Sequence, residues 1–415
     1  MKYHTKFLLI NYFFISLSIS SQQSSADISS TNACLNCHSD MEYLPEDFHE
    51  EDAHLSAGIS CTGCHGGNDQ LEDAEESMSA EYGFIGIPIK SDIPSMCGKC
   101  HSSIEIMREY QPRISTDQVS QYYKSQHGIQ LLQCDNNVAS CVNCHTAHSI
   151  FKANDPRSTV YAINIPKTCE QCHSNSELMS QYGLKADQYK KYVNSVHGVS
   201  LLVNKDTGAP ACNDCHGNHG AMPPEVKSIS HVCGNCHIKN MEFFLQSEMG
   251  QNLEEIHACE ECHNHHSIQE PTDAMLGSLE KSVCIDCHTE GDPGFKVSQT
   301  MYRSINNLKN DIDSVDNQLK EIQIIGMNDI DISFLLQEAK QILIESRTSI
   351  HSFDTSIVLS KTNKGEQIAQ KALILTSNEF NEYNSRRTGF FYATIAFFIL
   401  ALGVFLKIRQ SKKIN

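Results

Sequence analysis

Residues 125–148 read SQHGIQLLQCDNNVASCVNCHTAH, and residues 195–219 read SVHGVSLLVNKDTGAPACNDCHGNH. Laid over one another they share Ser-x-His-Gly, a pair of leucines, a variable stretch and then Cys-x-x-Cys-His-x-x-His. A second Cys-x-x-Cys-His closes each block: Cys169 to His173, introduced by Ile165-Pro166-Lys167-Thr168, and Cys233 to His237. Two degenerate copies flank them. The earlier runs from His54 through Cys61 to Ile93-Pro94 and Cys97, and the later from Ser247-Glu248-Met249-Gly250 through Cys259 and His266 to Cys284. The chain is therefore a fourfold repeat carrying two motifs per block, preceded by one solitary motif at Cys34, and the repeat governs the reading of everything else.

The chain has 415 residues, 19 cysteines, 21 histidines and no tryptophan. Eighteen cysteines form nine pairs: Cys34 and Cys37, Cys61 and Cys64, Cys97 and Cys100, Cys141 and Cys144, Cys169 and Cys172, Cys212 and Cys215, Cys233 and Cys236, Cys259 and Cys262, Cys284 and Cys287. Each pair is followed at once by a histidine: His38, His65, His101, His145, His173, His216, His237, His263 and His288. A zinc cluster or a disulfide framework would use the thiols and give no reason for the histidines. Covalent haem needs both. Two intervening residues set the thiols along one edge of the macrocycle, and the adjacent imidazole swings under the iron. The sequence thus predicts nine covalently bound haems c, each with an iron.

Nine motifs between Cys34 and His288 leave roughly 28 residues per haem, little more than a turn or two of helix and a loop. Aromatic residues make up only 7% of the chain, so the macrocycles must replace much of an ordinary apolar core. The expected fold is mostly α with extensive irregular loops, organised by stacked haems, and unfolded without them.

Outside the haem region (22–297) the character changes. Met301, Ile305, Leu308, Ile312, Val315, Leu319 and Ile322 alternate by four and three, the stripe of one helix face. After a break at Gly326 to Asp329, Ile332, Leu336, Ala339, Leu343, Ser346 and Ile350 repeat it, and Ala369, Leu373, Thr376, Phe380 and Tyr383 give a weaker third stripe. Residues 298–385 read as a helical hairpin or three-helix stalk. Thr388 to Leu406 is uncharged and apolar, long enough to cross a bilayer as a helix. Arg386 and Arg387 precede it. Lys407, Arg409, Lys412 and Lys413 in the tail (407–415) make the following end more positive, which places that end in the cytoplasm. Lys2 and Lys6 before the apolar run Phe7 to Ile19 give residues 1–20 the form of a secretory signal. Both ends put the haem region on the periplasmic side of a membrane crossed once. A net charge of −18 argues against a nucleic-acid partner and favours a positively charged redox partner.

The functional question is the sixth ligand of each iron, because two histidines saturate it while an open position admits substrate. His54, His127, His148, His197, His219 and His266 recur at fixed places in the repeat and are the first candidates. His49, His231, His257 and His265 are further ones. His351 reads as packing in the stalk, with reach to a haem as the alternative. In the last block Met249 stands where Ser-x-His-Gly has its histidine. Met249 is then a ligand itself, or His257 replaces it, or one iron is open. Cys134, the unpaired cysteine, reads as structural.

The order Ser-x-His-Gly, Cys-x-x-Cys-His-x-x-His, Ile-Pro-x-x-Cys-x-x-Cys-His resembles multihaem cytochromes of the cytochrome c3/c7-like superfamily, and more narrowly the membrane-anchored bacterial forms ending in a helical stalk and one transmembrane helix. The resemblance runs from about residue 34 to 406. It implies distal ligation by His127, His197, His148 and His219. The full supply of spare histidines favours electron transfer, in either direction, between a membrane quinol-linked partner, of quinol dehydrogenase or cytochrome b type, and an extracytoplasmic acceptor or donor. The alternative is a reductase or oxidase of a small nitrogen or sulfur oxyanion at one five-coordinate haem. Unlike the cytochrome c nitrite reductases, whose active haem has a lysine in place of the motif histidine, all nine motifs here end in His.

Overall fold

A computed structural model describes residues 32–223, 229–252 and 258–411. Residues 1–20, read as an export signal, His257, and Lys412 and Lys413 of the tail lie outside the described residues. The described chain is helical, with no strand, and its helices before residue 293 are short. It divides into two compact units. One holds the chain up to Cys169 together with Asn218–Ala221, and the other holds Glu170–Gly217 and the rest from Met222. The division falls inside the haem region rather than at its end.

The repeat explains its own helices. Ser125 caps helix Gln126–Leu132, and its Oγ accepts from Gly128 N at 3.0 Å while its hydroxyl donates to the Tyr122 carbonyl at 2.6 Å. Ser195 does the same for Val196–Leu202, accepting from Gly198 N at 3.0 Å and donating to Tyr192 at 2.7 Å. Ser247 repeats it at helix Glu248–Asn252 with Gly250 and Phe244, at 2.9 and 2.7 Å. Such a cap contributes about 1 kcal/mol. The glycine is required by space: a Cβ on Gly128, Gly198 or Gly250 would lie 2.0 Å from the carbonyl oxygen of Tyr122, Tyr192 or Phe244. The tyrosines continue the pattern, the Tyr122 hydroxyl donating to Ala139 O and that of Tyr192 to Pro210 O, both at 2.8 Å. Each ties its helix to the residue two before the next motif.

The stalk begins at Pro293, capped by Asp292, whose side chain accepts from Phe295 N at 2.9 Å. Its helices are Pro293–Ile325, Ile330–Ser349 and the start of Thr355–Ser411, all three in mutual contact. Gly326, at φ +71°, ends the first. The first stripe is buried in full and joined by Ser298 and Ser304. The third helix differs from its sequence reading. It buries Val358, Thr362, Gly365, Ala369, Ala372 and Thr376, a face that starts earlier and is made of small side chains. The physical reason is close approach: a Cβ on Gly365 would lie 2.7 Å from Leu308. Leu373 and Phe380 pack on this core from its edge. Beyond it the third helix runs on unbroken, and its apolar stretch is exposed, Phe390 at 76% and Leu400 at 69%. By length and composition that stretch can cross a membrane.

Candidate functional site

Most motifs sit in a short helix, whose spacing sets the two cysteines and the terminal histidine, at i, i+3 and i+4, on one face. Cys141–His145 and Cys212–His216 are five-residue helices. Ile93–His101 and Ile165–His173 enter one turn earlier through a proline in the first turn, which lacks the N–H that position would leave unpaired. Cysteines of successive motifs lie near one another within each unit. In the first, Cys34 lies by Cys61, Cys64 by Cys97, and Cys97 by Cys141. In the second, Cys215 lies by Cys236, Cys233 by Cys259, and Cys262 by Cys284.

The histidines come in facing pairs. His54 faces His101 at a ring-centre separation of 6.0 Å, His65 faces His148 at 6.2 Å, and His145 faces His219 at 6.0 Å. In the second unit His197 faces His237 at 6.2 Å, His216 faces His266 at 5.9 Å, and His263 faces His351 at 6.1 Å. Across these pairs the separation hardly changes, while the angle between ring planes runs from 5° to 84°. Stacking would restrict the angle as well. A shared central atom restricts only the distance and leaves rotation about the axis free. A metal–imidazole bond is about 2 Å, and the ring centre lies roughly 1 Å beyond the nitrogen, so two imidazoles on one iron stand about 6 Å apart. The donor set fits haem c.

Second partners aim the rings. His65 donates from Nδ1 to the Gly86 carbonyl at 2.8 Å, and His216 to the Met222 carbonyl at 3.2 Å. A carbonyl only accepts, so the proton is on Nδ1 and the Nε2 lone pair is available to a metal. Asp47 holds His148 Nδ1 at 3.1 Å, and Asp292 holds His288 Nδ1 at 3.2 Å. Burial, then the neighbouring imidazoles, push His145 and His266 down to about 4. Burial also lowers His101, His173, His197, His219 and His263. These side chains are neutral at pH 7, the form that binds metal.

Two blocks are linked by the same hydrogen bond three times. The amide before each block's first histidine donates to the carbonyl two residues beyond the His-x-x-His of the following block: Ala53 to Ile150, Gln126 to Ala221 and Val196 to Ile268, at 2.7, 3.1 and 2.8 Å. The Cys-x-x-Cys-His-x-x-His spacing therefore serves two blocks at once. Its first histidine belongs to its own motif, and its second faces the first motif of the block before.

Of the remaining candidates, His127 stands in its helix where His197 stands in its own. His49 accepts at Nδ1 from Glu51 N at 3.1 Å and packs on Phe151. That leaves its proton on Nε2, the nitrogen an iron would need. His231 is exposed, and His265 lies edge-on to His266, 4.9 Å between ring centres, with Glu260 3.7 Å away. Met249 holds the helical position of His127 and His197, with the same cap and the same glycine after it. His38 of the solitary motif has the edge of Tyr43 at 6.4 Å. Cys134 is exposed in a turn at φ +66°. His351 is the residue sequence periodicity set aside. The signal for it was in the repeat: the last block has no successor to supply a facing histidine.

Helical blocks carrying Cys-x-x-Cys-His and facing histidines define a multihaem c-type cytochrome with covalent haem c. Comparison with known proteins agrees. The family model described as cytochrome c3 matches residues 53–174, and that described as cytochrome c554 and c-prime matches 16–66 and 232–310. The chain is 25% identical over 187 residues to the C-type polyheme cytochrome OmcB of Geobacter sulfurreducens, in both strains compared, over 43% of this chain and 22% of that one. It thus spans about a fifth of the length of these relatives. No solved structure matches.

Proposed function

We propose that this protein is an exported, membrane-anchored electron carrier, with nine haems c held mainly between pairs of histidines. It would pass electrons between a membrane quinol-linked partner and an extracytoplasmic redox protein. Bound haem supplies the one-electron chemistry, and the chain supplies ligands, burial and orientation. The observation that carries the reading is the facing of His101, His65, His145, His237 and His216 by His54, His148, His219, His197 and His266 at a near-constant separation. Two imidazoles fill an iron and leave no position for substrate, which suits electron transfer. Residues 388–406 would anchor the chain with the haem region on the periplasmic side, the export signal at 1–20 and the positive residues after 406 supporting that orientation.

A second reading, reduction or oxidation of a small nitrogen or sulfur oxyanion, is favoured at one place. His38 neighbours the phenol of Tyr43, a group able to donate a proton, at 6.4 Å. Low-temperature EPR of the oxidised protein separates the two. Low-spin signals throughout support electron transfer. About one haem of high-spin signal that shifts with nitrite or hydroxylamine overturns it in favour of catalysis.

A further inference from the structure

We propose that His351, carried by the turn between the second and third stalk helices, is the sixth ligand of the haem bound at Cys259, Cys262 and His263. The proposal rests on the paired-histidine reading above. It adds that the stalk is part of the coordination of the last block rather than a spacer.

Three observations converge on it. The first is the series to which the pair belongs. His65 faces His148, His145 faces His219 and His216 faces His266, each the first motif histidine of one block against the last histidine of the next block's Cys-x-x-Cys-His-x-x-His. These three pairs have ring planes within 5° to 12° of parallel. The fourth block has no such successor, since no further Cys-x-x-Cys-His follows His288. His351 stands in the vacant place, 6.1 Å from His263 with planes at 25°.

The second is the proton. His351 Nδ1 donates to the Thr348 carbonyl at 3.0 Å. The hydrogen therefore sits on Nδ1 and leaves Nε2 with a lone pair, the same arrangement as at His65 and His216.

The third is how the turn is held. Phe353 lies two residues beyond His351, as Ile150, Ala221 and Ile268 lie two beyond their histidines. Those three residues are bonded to the preceding block through backbone hydrogen bonds. Phe353 instead meets Phe244 edge to face at 6.3 Å, on the residue whose carbonyl packs against Gly250. Arg347 reaches Asp273 through two hydrogen bonds of 2.8 and 2.7 Å, and Lys361 lies over the Phe243 ring at 5.7 Å. The turn is fastened to the last block from both sides, which fixes a ligand in place.

The test uses the full-length haem-loaded protein. His351→Gly should convert one haem from low to high spin in the oxidised EPR spectrum, and should create one equivalent of carbon monoxide binding in the reduced protein. Added imidazole should return that haem to low spin. His351→Met should keep it six-coordinate and add a methionine–iron charge-transfer band. A His351→Gly protein of wild-type thermal stability that stays low-spin and binds no added carbon monoxide overturns the proposal. If the glycine variant does not assemble, a His351→Met spectrum identical to wild type overturns it instead. Several high-spin haems in the wild-type protein would refute the paired-histidine reading itself, before any variant is made.

Discussion

The haem region and the stalk reach stability by opposite routes. In the stalk, Met301, Ile305, Leu308, Val315, Ile322, Ile332 and Val358 are almost wholly enclosed, and the apolar core cluster of the described residues is built there, with Leu276 joining it and Cys284 packing on it from before the stalk. A buried aliphatic side chain of this kind stabilises by about 1.5–3 kcal/mol. The haem region is much longer, yet its buried apolar side chains are scattered: Ile93, Met107, Leu131, Met179, Leu201 and a few others. What recurs there is polar, with serine caps, tyrosine hydroxyls on carbonyls, and imidazoles in pairs. The stalk can hold itself together, and the haem region depends on what its histidines and cysteines grip.

The largest test of that contrast is removal of haem. Protein made without haem attachment should lose most of its structure before residue 293 while the stalk stays helical. Limited proteolysis should then leave a fragment close to 293–385, and a protease-resistant haem region would break the contrast. Next in size is Leu308→Ala, which empties the centre of the stalk beside Gly365. It should cost about 2–5 kcal/mol, seen as earlier thermal loss of helical signal, with low-spin haem spectra in the first unit unchanged. A smaller effect is expected of Met249→His. If the last block follows its siblings, one haem potential should fall by on the order of 0.1 V in a redox titration, and an unchanged titration would remove Met249 from the ligands. Smallest is Ser195→Ala, which removes one cap at a cost of about 1 kcal/mol. It should be read as a modest drop in unfolding midpoint with full haem content.

Much of this was legible in the sequence because thiol and imidazole chemistry is local. Nine Cys-x-x-Cys-His strings need no knowledge of packing, and the stripe from Met301 to Ile322 is a one-helix property. The repeat marked which spare histidines were candidates, but not which motif each one faces. That His219 turns back to His145 follows from a hydrogen bond between blocks, Gln126 to Ala221, which no local pattern contains. The third stalk helix was read only in part: Ala369 and Thr376 of its stripe are buried, but Thr362, Gly365 and Ala372 bury little apolar surface each, so a reading weighted by hydrophobicity started its face too late. His351 read as packing, with reach to a haem as the alternative, because its neighbours belong to helix periodicity; that it faces His263 involves a motif far back in the chain, which no local pattern contains.

The backward reach of each block has a consequence for how such chains lengthen or shorten over evolution. In a stacked array every interior unit can be copied or lost as long as the ends are sealed. With His351 in its proposed place, the turn after Ser349 seals the last block as the next block's histidine seals an interior one. Duplicating a whole block would hand its copy a ready donor on one side and a ready recipient on the other. The number of redox centres could then change by gene duplication in steps of two, with the terminal plug and the apolar helix behind it left as they are.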